Sequence, residues 1–327
     1  MMKLGLVGCG AVASKFHIPA INAIPEIRLE AVTDTDLQHA KKFANRNKVK
    51  NVFSSHEKML DDCSLDSVLV CTPPSTHARI VLDVIDRGKH VICEKPFTLG
   101  PEEAEEIAQQ NNGTIVFPAH NYVFTPALNT AREWSLGRNL GALRSVNARI
   151  GVGFWSWRSR TEYRTDEQSG VISDLLYHVV YVVNSLARID EVLDVTAERR
   201  RGVARTVRAK VRLEKNIEAT ISADWTSLVP KFELLMNYAN GSIRLDLMKR
   251  PFWISGRESG RTIRTTPLVG RMGEIRLLMM GKHPSFVLEH TNFLRSVESK
   301  ESQQVTVQDA IETLSALQSI REMIREK

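Results

Sequence analysis

Over the first 120 positions, short apolar runs alternate with amphipathic stretches, the pattern of strands separated by helices. The strand runs are 4–7, 29–33, 67–72, 90–93 and 114–118. Helical stretches are predicted at 12–23, with a kink at Pro19, and at 37–45, 57–61, 77–87 and 101–111. This alternation predicts an α/β architecture: a doubly wound parallel sheet with right-handed crossovers and helices on both faces. Ligands of such sheets bind beyond the C-terminal ends of the strands.

After Tyr122 the pattern changes. Strand-like runs predominate at 143–150, 191–199, 206–213, 217–225, 232–238 and 242–246, and Asn240-Gly241 signals a hairpin. An antiparallel sheet in an α+β domain follows from this. Two helices are expected near the end, 284–299 and 307–325, the second starting after Thr306 with Asp309 in its first turn. The expected division is a nucleotide-binding domain at 1–120 and a second domain at 121–327. The closing helix is a candidate to pack back on the first domain. No repeat or low-complexity segment interrupts the chain.

The first strand runs directly into Gly8-Cys9-Gly10-Ala11-Val12-Ala13. Gly8 permits a tight turn and Gly10 a close backbone approach to a pyrophosphate, while Ala13 lets the next helix pack against the sheet. That helix opens on free N–H groups, among them those of Ala11 and Val12, where an anion is favoured. The second strand ends in Asp34, 24 residues beyond Gly10. An acid about 20 residues on is expected to bind an adenosine ribose. Asp34 accepts from both ribose hydroxyls and repels a 2′-phosphate, so NAD is expected over NADP.

At 327 residues, two domains are the natural expectation. The four cysteines show no CxxC pairing and no metal spacing, so reduced thiols and no metal are expected. No apolar run approaches the ~18 residues of a membrane span. The first strand occupies the N-terminus, so a signal peptide is discounted and a cytoplasmic protein is expected. The net charge of +6 gathers partly in 199–212, where apolar residues alternate loosely with arginines. A strand with one wet face accounts for this better than an anion-binding surface does. No nucleic-acid motif accompanies it, and no nucleic-acid partner is expected.

Three constellations carry candidate chemistry. Glu94-Lys95-Pro96 follows the strand at 90–93, so it faces the nucleotide crevice. There Lys95 would offer a cation to a substrate hydroxyl, or would be an ordinary solvated lysine. Asp174-Leu-Leu-Tyr-His178 places a carboxyl and an imidazole one helical turn apart, in a stripe with Tyr181 and Ser185. Periodicity alone reads that stripe as a solvated face, yet His178 is a natural general base for alcohol oxidation, with Asp174 orienting it. Thr72-Pro73-Pro74-Ser75-Thr76-His77 ends a strand and caps the next helix, in a place to line the cofactor. Cys9 lies near a helix N-terminus, a position that can lower a thiol pKa, but small size is the better reason for it.

Together these features resemble the Gfo/Idh/MocA oxidoreductases, which include glucose–fructose oxidoreductase and inositol dehydrogenase. The resemblance rests on the glycine turn, Thr72-Pro73-Pro74 with His77, Glu94-Lys95-Pro96, Ala119-His120-Asn121-Tyr122, Asp174-x-x-x-His178 and the closing helices. It implies a Rossmann domain followed by a domain with a large, mainly antiparallel sheet that often forms the oligomer interface, hence a homodimer or homotetramer. Carried over, Lys95 and Asp174 bind substrate hydroxyls, His178 is the acid/base, and Asn121 and Tyr122 belong to the substrate side. Gly8, Gly10, Ala11, Val12, Asp34, Thr72, Pro73, His77, Glu94 and Lys95 form the cofactor side. The chain departs from the usual pattern at Tyr181, Leu176, Val123 and Gly170, which puts the usual polyol contacts in question.

Trp157 and Arg158 lie in a loop that would shape the substrate site or cover a sheet edge; its arginines leave an anionic substrate open. The expected activity is hydride transfer between NAD and a carbinol or carbonyl carbon of a sugar, cyclitol or related polyol. Redox-neutral glycoside cleavage with NAD and non-catalytic NAD sensing are the alternatives.

Overall fold

The structure, a computed structural model, describes residues 1–111, 113–153, 170–248, 250–265, 283–299 and 303–325. The chain divides into two compact units, Met1–Asn121 with Glu274–Ile311, and Tyr122–Gly273 with Glu312–Lys327.

The first unit is built on six strands: β1 (Met2–Val7), β2 (Ile27–Thr33), β3 (Asn51–Phe53), β4 (Ser67–Val70), β5 (His90–Cys93) and β6 (Val116–Pro118). Their order is β3-β2-β1-β4-β5-β6, and every pairing is parallel. This is a doubly wound order, which changes direction between β1 and β4 and opens a ligand crevice there. Strands β1, β4 and β5 are almost wholly buried, as parallel strands covered by helices must be.

After β1 the chain makes a π turn, Ala13–His17, and continues as α1 (Ile18–Ile21). Pro19 cannot donate to the carbonyl four residues back, and the widened turn accommodates that loss. Helix α2 (Leu37–Asn47) is capped by Asp36, which accepts from the N–H groups of Gln38 and His39. Helices α3 (His56–Asp62), α4 (His77–Asp86) and α5 (Pro101–Gln110) complete the alternation. Strand β3 has only three residues, all half-buried, so it carried no alternation that could be read in advance.

The second unit opens with α6 (Pro126–Gly137) and holds eight strands: β7 (Leu143–Gly151), β8 (Ile189–Arg200), β9 (Val203–Leu213), β10 (Ile217–Asp224), β11 (Lys231–Tyr238), β12 (Gly241–Asp246), β13 (Arg250–Glu258) and β14 (Arg261–Thr265). Their order is β14-β13-β12-β11-β7-β10-β9-β8, antiparallel except for β7 beside β10. One face is apolar. Phe232, Leu234 and Met236 on β11 register with Ile150, Ala148 and Val146 on β7, and all six are buried.

The β11–β12 hairpin turns at Ala239-Asn240, one residue earlier than expected. Gly241 already pairs with Tyr238, and a side chain there would stand 2.1 Å from the Arg257 carbonyl oxygen. A π turn, Ile172–Leu176, leads into α7 (Tyr177–Asn184).

Helix α8 (Pro284–Ser299) belongs to the first unit. In α9 (Val307–Arg325), residues to Ile311 count with the first unit and the remainder with the second. The expected cap of α9 is a reciprocal one. Thr306 Oγ1 accepts from the Asp309 N–H at 3.2 Å, and Asp309 Oδ2 accepts from the Thr306 N–H at 2.7 Å. Among the described residues, no helix is long and apolar enough to cross a membrane.

Candidate functional site

The glycine turn is fixed by contact with the strand beside it. Gly8 has φ +94°, and a side chain there would stand 2.6 Å from the Cys71 carbonyl oxygen, so only glycine fits. Nothing lies within 4 Å of the corresponding point on Gly10, which leaves its backbone open to a ligand. The Gly10 carbonyl accepts from the Ser14 N–H, and Ala11 and Val12 open the helical run with no earlier turn to pair their N–H groups.

Asp34, at the end of β2, is fastened to this turn. Its Oδ2 accepts from the Cys9 N–H at 2.9 Å and its Oδ1 from the Asp36 N–H at 3.0 Å. A backbone cradle, open space over Gly10 and a carboxyl held beside it fit the pyrophosphate and ribose of a dinucleotide. The Cys9 thiol is pushed up to about 12 by burial and by the Asp34 charge, which leaves small size as the reason for a cysteine in the turn.

Beyond β4, Thr72 and Pro73 lead into a short 3₁₀ turn, Pro74–Thr76. Thr76 Oγ1 lies 2.8 Å from both Thr72 Oγ1 and the Pro73 carbonyl. His77 is fully buried, with Nδ1 2.9 Å from the Pro96 carbonyl oxygen and Nε2 2.8 Å from the Thr72 carbonyl oxygen. Its ring therefore bridges the loops after β4 and β5 from inside the unit.

Beyond β5 the Lys95–Pro96 peptide is cis. Lys95 is half-buried. Glu94 turns inward: Oε1 lies 2.7 Å from His17 Nε2, and Oε2 accepts from the Lys95 N–H at 2.9 Å. Burial would raise the Glu94 carboxyl, but the His17 hydrogen bond, the Lys95 charge and the Lys95 N–H together hold it below its ordinary value.

In the second unit, the stripe of Asp174, Tyr181 and Ser185 is not a solvated face. Asp174 and Tyr181 are buried, and Ser185 accepts from Arg132 at 2.9 Å. Because Asp174 sits in a π turn, the 100° per residue assumed from sequence does not hold across it. Trp225, at the end of β10, donates its indole N–H to Asp174 Oδ2 at 3.1 Å. The half-buried His178 ring packs edge-on against Tyr122, 4.9 Å between centroids, and Tyr122 packs likewise against Phe232. Burial, with Asp174 and Asp246 nearby, raises the Tyr122 phenol well above its ordinary value, which keeps it a neutral donor.

Val123 and Leu176, two of the departures from the usual pattern, are core residues. Asn121, in the first unit, donates to Ser285 Oγ at 3.2 Å. Trp157 and Arg158 lie outside the described residues. His17, Trp225 and His290 carried no sequence expectation, because their partners lie far along the chain. His56, Glu57 and Asp83 bring three potential metal-ligand atoms together, but Arg79 already pairs with both carboxylates.

Residues 2–119 match the profile of the oxidoreductase family with an NAD-binding Rossmann fold. Over those residues the chain is similar to the Gfo/Idh/MocA oxidoreductases. The matched residues make up most of the first unit. Among curated relatives, D-xylose 1-dehydrogenase (NADP(+)) 2 of Haloferax volcanii is 32% identical over 149 residues, 45% of each chain. The scyllo-inositol 2-dehydrogenase (NADP(+)) of Bacillus subtilis is 28% identical over 189 residues, 55% of this chain and 57% of that one. The match thus spans about half the length of these relatives. A levoglucosan dehydrogenase solved with NADH and levoglucosan shares the fold at TM-score 0.87 and 19% identity, over 99% of this chain and 97% of that one.

Proposed function

We propose that this protein is a Gfo/Idh/MocA oxidoreductase, an NAD-dependent dehydrogenase or reductase acting on a carbinol or carbonyl carbon of a sugar, cyclitol or related polyol. One observation carries the reading. The glycine turn and the Lys95 turn leave the same edge of one parallel sheet, beyond β1 and β5, with only β4 between them.

When bound, NAD supplies the carbon that accepts or returns a hydride. Lys95 would hydrogen-bond the substrate oxygen and stabilise the charge that develops on it. His178 would take the hydroxyl proton on a ring nitrogen as the carbonyl forms, and would return it in the reverse direction. Asp174, steadied by Trp225, would accept from a neighbouring substrate hydroxyl, which suits a polyol better than an anion at that position. Asp34 supports NAD over NADP, although two relatives carry NADP(+) in their names. Assembly into two or four copies is part of the same reading, measured by light scattering.

The test is a panel of sugars, cyclitols and polyols followed by NADH absorbance. His178→Ala should lower turnover at least about a hundredfold while NAD binding survives. Unchanged turnover in that variant would remove His178 from the reaction.

A further inference from the structure

Beneath the Lys95 turn lies a buried chain of polar side chains that the proposed reaction does not use. His290 Nε2 stands 2.9 Å from His17 Nδ1, and His17 Nε2 stands 2.7 Å from Glu94 Oε1. Both rings are fully buried. Glu94 Oε2 then closes on the Lys95 N–H. Three members of the chain come from three different segments: the π turn after β1, the end of β5, and α8.

Hydrogen-bond accounting sets the direction of this chain. The Glu94 carboxylate can only accept, so His17 Nε2 carries a proton. Two arrangements remain for the contact between the rings. If His17 Nδ1 also carried a proton, His290 Nε2 would accept and its own proton would sit on Nδ1. That Nδ1 is buried and has no partner among the described residues, so it would be an orphaned donor. If His290 Nε2 donates instead, its Nδ1 is a bare lone pair, which burial tolerates better than an unpaired N–H. The second arrangement is the one the geometry supports.

We infer that His17 is a positioning residue for Lys95: His290 fixes its tautomer, and its Nε2–H holds the Glu94 carboxylate in place against the lysine turn. The inference rests on Lys95 being the group that meets substrate. The surrounding groups leave Glu94 as the local negative charge. Burial pushes Glu289 well up, helped by the charge on Glu94, which favours its neutral form. Burial pushes His120 well down, as does the Lys95 charge, and it pushes His290 well down too. The Lys95 charge acts on the Glu94 carboxyl, so a shift of that carboxylate alters the field at the ammonium in return.

The experiment is NMR on the full chain, which reads the lysine without any turnover. With lysine side chains labelled and Lys95 assigned through Lys95→Gln, the midpoint of the Lys95 titration should fall by about half a pH unit or more in His17→Leu. His17→Gln, which keeps an N–H donor near the Nε2 position, should restore it. A His17 that only fills space would lower the melting temperature of the leucine variant and leave the Lys95 midpoint unmoved, and that result would overturn the inference. Should the leucine variant not fold, the wild-type chain still decides. Long-range ¹H–¹⁵N spectra should show the proton on Nε2 of both His17 and His290, and a proton on His290 Nδ1 would refute the arrangement. Failure of the functional reading is separate: Lys95→Ala with unaltered turnover would sink the role of Lys95 while leaving the coupling of His17 to it intact.

Discussion

The Trp225 indole donates to Asp174 across 3.1 Å, and both side chains are buried. A tryptophan N–H can only donate and the Asp174 oxygen accepts, so the contact has one direction and one geometry. It holds a carboxyl on a π turn, where the backbone alone would leave its direction loosely set. Trp225→Phe keeps most of the packing and deletes the donor. The expected cost is about 1 kcal/mol of stability in urea unfolding. If Asp174 meets a substrate hydroxyl, KM should rise about fivefold with little change in kcat, since 1 kcal/mol corresponds to that factor. An unchanged KM would show that Asp174 does not hold substrate.

The two glycines of the first turn should separate folding from cofactor binding. Gly8→Ala forces a side chain to within 2.6 Å of the Cys71 carbonyl oxygen at φ +94°, so its expected cost is about 3 kcal/mol or more. Gly10→Ala meets nothing within 4 Å. Its melting temperature should match the wild type, while NAD affinity, measured by calorimetry, falls at least about tenfold because the methyl group occupies phosphate space. Full NAD affinity in the Gly10 variant would move the pyrophosphate elsewhere.

Cofactor choice should follow Asp34. Its two oxygens are already oriented by the Cys9 and Asp36 N–H groups, which leaves it a fixed acceptor rather than a mobile one. Asp34→Ser should weaken NAD binding about tenfold and improve NADP relative to NAD by about a hundredfold, since the repulsion of a 2′-phosphate disappears. A ratio of kcat/KM values that does not move would locate the discrimination in another residue.

The buried carboxyl of Glu289 makes stability depend on pH in a definite direction. Burial, then the Glu94 charge, raises its folded value, whereas an unfolded glutamate titrates near ~4.3. Its contribution is therefore complete below about pH 4.3 and is lost as pH rises toward the folded value. Glu289→Gln cannot ionise, so its advantage over wild type should grow between pH 5 and pH 8 and reach at least about 1 kcal/mol. Urea midpoints at the two pH values check this, and a constant difference would mean that the carboxyl ionises in the folded chain.

Much of the first unit was legible because its signals are local. The glycine turn, the acid at the end of β2, the strand–helix alternation and the Thr306–Asp309 cap each lie within a few dozen residues. Strands β13 and β14 were missed because 250–265 carries arginine, glycine and serine without period-2 alternation. Gly256 is in a strand because a side chain there would stand 2.7 Å from the Ser242 carbonyl oxygen, a constraint imposed by β12. Helix α6 carried no expectation either. The stripe through Asp174 read as solvated because periodicity reports polarity and not what lies opposite; Trp225 is 51 positions away. His17 is a stronger case, with a partner 273 positions distant.

That last separation bears on how the chain is made. Residues 274–311 belong to the first unit, so synthesis through position 121 does not deliver a finished fold. Phe117 then waits for Phe293, which meets it at 5.6 Å between ring centroids, and Phe16 waits for Phe286 at 5.1 Å. A nascent chain must therefore carry an open apolar socket through translation of more than 150 further residues, the interval in which holding chaperones and aggregation compete. A recombinant fragment cut after the sixth strand would keep that socket open permanently.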